Sequence, residues 1–154
     1  MGETKAFIKA KDCAYRLLSY RPRSVKEISE RLKKKGFTPG VIKKTIKYLS
    51  EINYLNDEDF AKFWIQAKTQ SQPLGLSLLR YQLRQKGVDS ETIEKAFADC
   101  AGRYDECKAA SKLALSRRKC YRGMDAQKVK RRLYQYLRRR GFPQEAIWEA
   151  IRQK

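Results

Sequence analysis

The stretch RLKKKGFTPGVIKKTI, residues 31–46, decides how this chain is read, because it returns twice. Residues 82–97 read QLRQKGVDSETIEKAF, and residues 136–151 read YLRRRGFPQEAIWEAI. Aligned on Gly36, Gly87 and Gly141, the three copies fill the same apolar slots. Leu32, Leu83 and Leu137 stand four residues before the glycine, and Ile28, Leu79 and Leu133 eight before. Phe37, Val88 and Phe142 follow it directly. Ile42, Ile93 and Ile147 come six residues after it, and Ile46, Phe97 and Ile151 ten after. The glycines are 51 and 54 residues apart, so the chain is an internal repeat with a period of about 50 residues.

Each copy reads as helices. Apolar residues four apart that run up to a glycine describe a helix ending in a left-handed turn, which a residue without a Cβ enters most cheaply. A new helix starts at once, with Thr38 and Pro39, or Asp89 and Ser90, as N-cap and first-turn residues. The third copy has the weaker start Pro143-Gln144. Ser24-Val-Lys-Glu27 reads as a capping box. A further helix precedes each pair: about Thr4 to Ser19 with a face of Phe7, Ala10, Ala14, Leu17 and Leu18, then one marked by Phe60, Phe63, Trp64 and Ala67, then one marked by Cys107, Ala110, Leu113 and Ala114. Pro22 and Pro73, each fourteen residues before their glycine, close the first helix of two copies. Gly123, eighteen before, takes that place in the third, so its second helix or loop should be about a turn longer. No segment alternates as a strand does. The expectation is an all-α chain of three tandem three-helix repeats, at 1–52, 53–103 and 104–154. A unit of this size buries little surface alone, which predicts copies stacked into an elongated curved array.

Composition bears on function mainly by what it removes. The chain has no histidine, so the commonest general base is missing. It carries no glycine-rich phosphate loop, no G-x-S-x-G and no acidic metal cluster. Its four cysteines, Cys13, Cys100, Cys107 and Cys120, form no C-x-x-C pair and are expected to be buried, reduced thiols rather than zinc ligands. Neither a signal peptide nor an apolar run of membrane-spanning length is evident. The expectation is a cytoplasmic, monomeric protein that is not an enzyme and needs no cofactor or metal.

Charge is the strongest compositional signal. Lys plus Arg number 36 against 17 Asp plus Glu, a net charge of +19. That excess suits a polyanion or an acidic protein surface. It is also uneven. Residues 1–50 carry 14 basic and 4 acidic side chains, residues 51–104 carry 7 and 8, and residues 105–154 carry 15 and 5, giving net charges of +10, −1 and +10. The candidate binding residues are therefore those of the two ends. In the first copy they are Arg21, Arg23, Lys33, Lys34, Lys35, Lys43, Lys44 and Lys47. In the third they are Arg117, Arg118, Lys119, Lys128, Lys130, Arg131, Arg132, Arg138, Arg139 and Arg140. One cation per helix end would satisfy the helix dipole, so runs of three exceed that need. Tyr121, Tyr134 and Tyr136 lie among the arginines, either as packing residues or as surfaces on which bases stack.

The second copy is preceded by NYLNDEDFAKFWIQA, residues 53–67. Tyr54-Leu55-Asn56-Asp57, Phe60-Ala61, Leu83 and Lys86-Gly87-Val88 together resemble the RecX family of bacterial recombination regulators, and Arg23-Ser24 with Glu27-Ile28 resembles the family's first-repeat opening. The physics of this motif is structural: Asn56 can cap the helix starting at Asp57, the acids Asp57, Glu58 and Asp59 suit its positive end, and Tyr54 and Phe60 can pin the chain's entry. The resemblance implies three tandem three-helix repeats that bind the RecA filament on DNA, bridge neighbouring RecA subunits, and limit filament growth, ATPase, strand exchange and co-protease activity. It thereby implies a part in recombination, DNA repair and the SOS response. Two features depart from the family pattern: Gln70-Ser71-Gln72-Pro73, where basic residues are usual, and Gln82, where a glutamate is usual.

The partners expected are accordingly the RecA filament and single- and double-stranded DNA bound with weak sequence preference. A general basic DNA- or RNA-binding helical protein is the alternative, and an adaptor between acidic proteins is a third. No helix start presents a set of base-reading side chains, and the family motif favours the RecA reading.

Overall fold

The computed structural model describes residues 2–100, 102 and 104–153, with the side chain of Glu3 excepted. Among them are nine α-helices and no strand: α1 Gly2–Tyr20, α2 Val25–Lys34, α3 Pro39–Glu51, α4 Asp57–Ser71, α5 Leu76–Gln85, α6 Ser90–Cys100, α7 Glu106–Arg118, α8 Ala126–Arg139 and α9 Gln144–Arg152. A short 3₁₀ turn, Lys119–Tyr121, follows α7. The all-helical, three-by-three architecture read from the repeat is the one observed.

The repeat slots are the core. Ile28, Leu32, Leu79, Leu83, Leu133 and Leu137 are fully buried, and Ile42, Ile93 and Ile147 nearly so. After each helix pair's first member the backbone turns left-handed at glycine, with φ of 85° at Gly36, 82° at Gly87 and 79° at Gly141. Thr38 Oγ1 accepts from Val41 N, and Asp89 Oδ1 from Thr92 N, so both predicted caps form. Pro143 makes no side-chain cap, as its chemistry requires. α8 has 14 residues where α2 and α5 have 10, which is the extra turn that Gly123 announced.

The chain divides into two compact units, Met1–Trp64 with Leu83–Ala98, and Ile65–Gln82 with Asp99–Lys154. In the first, α1 packs on α2 and α3 around Ala10, Ala14, Ile28, Leu32 and Leu49. In the second, α7 packs closely on α9, with Ala110 and Ala114 facing a core that includes Ala146 and Ala150. Small residues on both helices allow that close approach.

Four local expectations are corrected. α4 buries Phe60 as expected, together with Ala61 and Ile65, whereas Phe63 is exposed and Trp64 and Ala67 are only partly buried, because the stripe continues through Ala61 and Ile65. Tyr54 is about half exposed and meets Tyr15 edge-on at 4.9 Å instead of pinning the chain with Phe60. The capping box at Ser24 forms only its first half: Ser24 Oγ accepts from Glu27 N, but the Glu27 carboxylate is drawn away to two cations. Cys120, in the 3₁₀ turn, is exposed, and the other three cysteines are only partly buried, Cys13 and Cys107 packing against the cores of their units from outside. Among the described residues no group of His, Cys, Asp or Glu could hold a metal ion, and no helix is long and apolar enough to cross a membrane.

Candidate functional site

The family-motif residues converge on the start of α2. Ser24, the N-cap of α2, donates its hydroxyl to the carbonyl of Lys86 at 2.7 Å. Val25 N donates to Asp57 Oδ1 at 2.9 Å, so Asp57 satisfies a helix-start amide of the preceding repeat as well as suiting its own dipole. Lys26 Nζ reaches the carbonyl of Gln85 at 3.1 Å. The Glu27 carboxylate receives both Arg21 amines at 3.1 Å and Lys86 Nζ at 2.6 Å. Burial alone would raise its pKa, but the bonds from Arg21 and Lys86 outweigh that and hold it at about 2. Lys86 also stands 5.1 Å from the Trp64 ring centre. Asp57 moves the other way: its burial raises the pKa, only partly opposed by the Val25 amide.

The same joint is built in the second unit from different residues. Gly75 stands twelve residues before Gly87, as Ser24 does before Gly36. Its N–H donates to the carbonyl of Arg140 at 2.8 Å, the counterpart of the Ser24–Lys86 bond. Leu76 N donates to Glu106 Oε1 at 2.7 Å, as Val25 N does to Asp57. Ser77 Oγ bonds the Gly141 carbonyl at 2.6 Å, and Arg140 Nη1 the carbonyl of Pro73 at 3.3 Å. A Cβ on Gly75 would lie 1.9 Å from the Gly141 oxygen, and one on Gly141 would lie 2.4 Å from Leu78 Cβ. Where the first joint holds an ion pair, the second holds two glycines in near-contact. In each, the start of a repeat's second helix docks on the glycine turn of the next repeat.

The basic residues of the ends separate into two groups around these joints. Arg21 and Arg23 are partly buried and bonded internally, Arg23 Nε to the carbonyl of Leu17 at 3.1 Å. Arg118 bonds the carbonyl of Ile151, and Arg140 that of Pro73. Lys33, Lys34 and Lys35 are exposed at the end of α2, and Lys43, Lys44 and Lys47 along α3, with Lys44 5.1 Å from the Phe7 ring centre. In the second unit Arg117, Lys119, Lys128, Lys130, Arg131, Arg132, Arg138 and Arg139 are exposed. From Met124 to Arg132 only Val129 is even partly buried, so the start of α8 is an almost fully solvated, strongly basic surface. A cleft of about 490 Å³ in the first unit is lined by Arg23, Arg31, Lys34 and other cations, with Glu27 and Glu30 among them.

The tyrosines of the third repeat divide likewise. Arg117 lies 5.0 Å and Arg140 4.9 Å from the Tyr136 ring centre, while Arg132 lies 5.7 Å from that of Tyr121. Those rings are held by the chain's own guanidiniums. Tyr134 instead meets Trp148 of α9, centroids 5.3 Å apart. Trp148 lies outside the repeat pattern, between the buried slots Ile147 and Ile151, so helical spacing gives no signal for it.

Three family models match the chain in order: RecX, first three-helix domain, at residues 10–49; RecX, second three-helix domain, at 56–96; and RecX, third three-helix domain, at 104–151. The chain belongs to the RecX family. A protein named Regulatory protein RecX from Chlorobium phaeobacteroides is 33% identical over 145 residues, spanning 94% of this chain and 93% of the relative. The protein of the same name from Bacillus subtilis is 34% identical over 149 residues, 97% of this chain and 54% of that longer relative. The crystal structure of RecX from Lactobacillus salivarius matches with a TM-score of 0.79 at 20% identity, covering 97% of each chain. A second RecX crystal structure matches at 0.83 and 23% identity, covering 97% of this chain and 74% of that one. These structures share the fold. The motif residues Tyr54, Leu55, Asn56, Asp57, Phe60, Ala61, Leu83, Lys86 and Gly87 all lie in the first unit, and most are buried or bonded there.

Proposed function

We propose that this chain is a non-enzymatic modulator of recombination and repair that binds the RecA–DNA filament, bridges neighbouring RecA subunits, and limits the filament's growth and activities. The observation that carries the reading is the pairing of two exposed basic surfaces with a near-neutral middle repeat in a chain of the RecX regulatory family. Lys33, Lys34 and Lys35 form one contact set, and Arg131, Arg132, Arg138 and Arg139 the other. Each alone binds a polyanionic assembly weakly. Joined in one chain, the second contact becomes intramolecular and gains effective concentration. A filament repeats the site, so it is held better than a free RecA subunit, which offers the site once.

The test is RecA ATPase on single-stranded DNA, titrated with the full chain and with charge reversals confined to one end or the other. Each single-end variant should inhibit more weakly than the parent, and an equimolar mixture of the two should not restore parental potency. Full potency of the mixture would refute bridging. Inhibition only at concentrations that saturate DNA would favour simple competition for the strand.

A further inference from the structure

On the second unit, α8 and α9 form a notch of about 320 Å³ lined by Gln127, Lys130, Arg131, Tyr134 and Trp148. Trp148 is 43% exposed although it lies on a helix whose neighbouring positions Ile147 and Ile151 are core. Tyr134 backs it at 5.3 Å with the rings inclined at 41°, and Arg138 fixes the Tyr134 hydroxyl at 3.3 Å. Among the described residues no acidic side chain lines the notch. The two carboxylates close in sequence to Trp148, Glu145 and Glu149, are exposed and neither lines the notch. An exposed indole, buttressed on one side and rimmed by a lysine and an arginine, combines a π-surface with phosphate-binding charge. That is the pairing by which proteins hold single-stranded nucleic acid. Duplex bases are stacked on each other and offer no free face, whereas an apolar protein side chain would have no use for the cationic rim.

We propose that Trp148 is a stacking platform for one unpaired base of single-stranded DNA, with Lys130 and Arg131 holding the flanking phosphates. The site deepens the reading above by giving the third repeat a preference for single strands, and it is tested on the chain alone, so the RecA experiment and this one can fail separately. Substitution Trp64→Phe leaves Trp148 as the sole tryptophan of the full chain. Its emission is followed during titration with a short oligothymidylate at low salt, with an abasic strand of equal length, and with a duplex.

Oligothymidylate should quench Trp148 strongly, while the abasic strand and the duplex bind through charge and quench little. Trp148→Leu should lose about five- to a hundredfold in affinity for oligothymidylate and little for duplex. Trp148→Phe should recover most of that loss, and it also controls for folding. Equal quenching by the abasic strand, or parental oligothymidylate affinity in Trp148→Leu, overturns the proposal. So does quenching by RecA without DNA but not by oligothymidylate, which would assign the notch to a protein partner.

Discussion

Lys86 Nζ lies 2.6 Å from Glu27 Oε1 across 59 residues of sequence, and the carboxylate that joins them also holds Arg21. Its side chain is only 13% exposed, so the pair is shielded and the bonds are charge-assisted. Replacing Glu27 with Gln should destabilise the chain by about 2 kcal/mol near neutral pH. The native carboxyl titrates at about 2 against an ordinary 4.5. Its contribution is therefore complete above the ordinary value and fades as pH falls toward the native one. Denaturant unfolding near neutrality and again at about pH 3 should show the gap between parent and Glu27→Gln narrowing in acid. A gap independent of pH would mean that the ion pair is not its source.

Asp57 allows a sharper comparison at one position. Its Oδ1 accepts from Val25 N, and burial raises its pKa, so the negative charge itself is disfavoured there. Asp57→Asn keeps an acceptor without the charge and should leave stability within about 0.5 kcal/mol of the parent. Asp57→Ala leaves the Val25 amide without that partner and should cost about 1–3 kcal/mol. Thermal melts of the two variants decide it: equal losses would show that the charge, not the hydrogen bond, matters.

The three repeat glycines should not respond alike to alanine. All have positive φ, so each substitution carries a left-handed penalty of about 1–2 kcal/mol. At Gly36 nothing lies within 4 Å of the new Cβ, and the penalty ends there. At Gly87 the Cβ would meet Lys26 Cβ at 2.7 Å, and at Gly141 it would meet Leu78 Cβ at 2.4 Å and Leu78 N at 2.8 Å. Denaturant midpoints should fall in the order Gly36, Gly87, Gly141, mildest first, because a lysine stem yields more readily than backbone. Equal losses at all three would show that the joints relax without cost.

Salt dependence separates binding cations from structural ones. Neutralising about six DNA phosphates predicts a slope near −5 in log K against log salt for duplex. Reversing Lys33, Lys34 and Lys35 should make that slope shallower by about 2–3. Reversing Arg21, which is bonded to Glu27, should lower the melting temperature and leave the slope nearly unchanged. A flattened slope from Arg21 would return it to the binding surface.

The repeat itself was legible because every apolar slot is local, set by helical spacing around one glycine. The joints were not, since the Ser24–Lys86 and Gly75–Arg140 bonds link residues about sixty positions apart, the first ending on a backbone carbonyl and the second running from backbone to backbone. Sequence charge located the basic ends correctly as regions of charge, but it could not distinguish Lys33, which is solvated, from Arg23, whose Nε is bonded to a carbonyl. Trp148 escaped because periodicity ranks residues by membership of the core, and this one lies just outside it.

The extra turn of α8 has a consequence for assembly. Twelve residues before Gly141, where the other copies place Ser24 and Gly75, stands Val129. It is inside the helix, and its N–H already bonds the carbonyl of Asp125 at 3.0 Å. At the other end, the turn at Gly36 remains open. A second molecule presenting a Ser24-like helix start to that turn would begin a head-to-tail fibre, the usual hazard of a heterologous contact that does not close. The third copy has no such start to present. Four added residues thus remove from the third copy the helix start through which the other two dock, and with it the complementary half of a self-propagating contact.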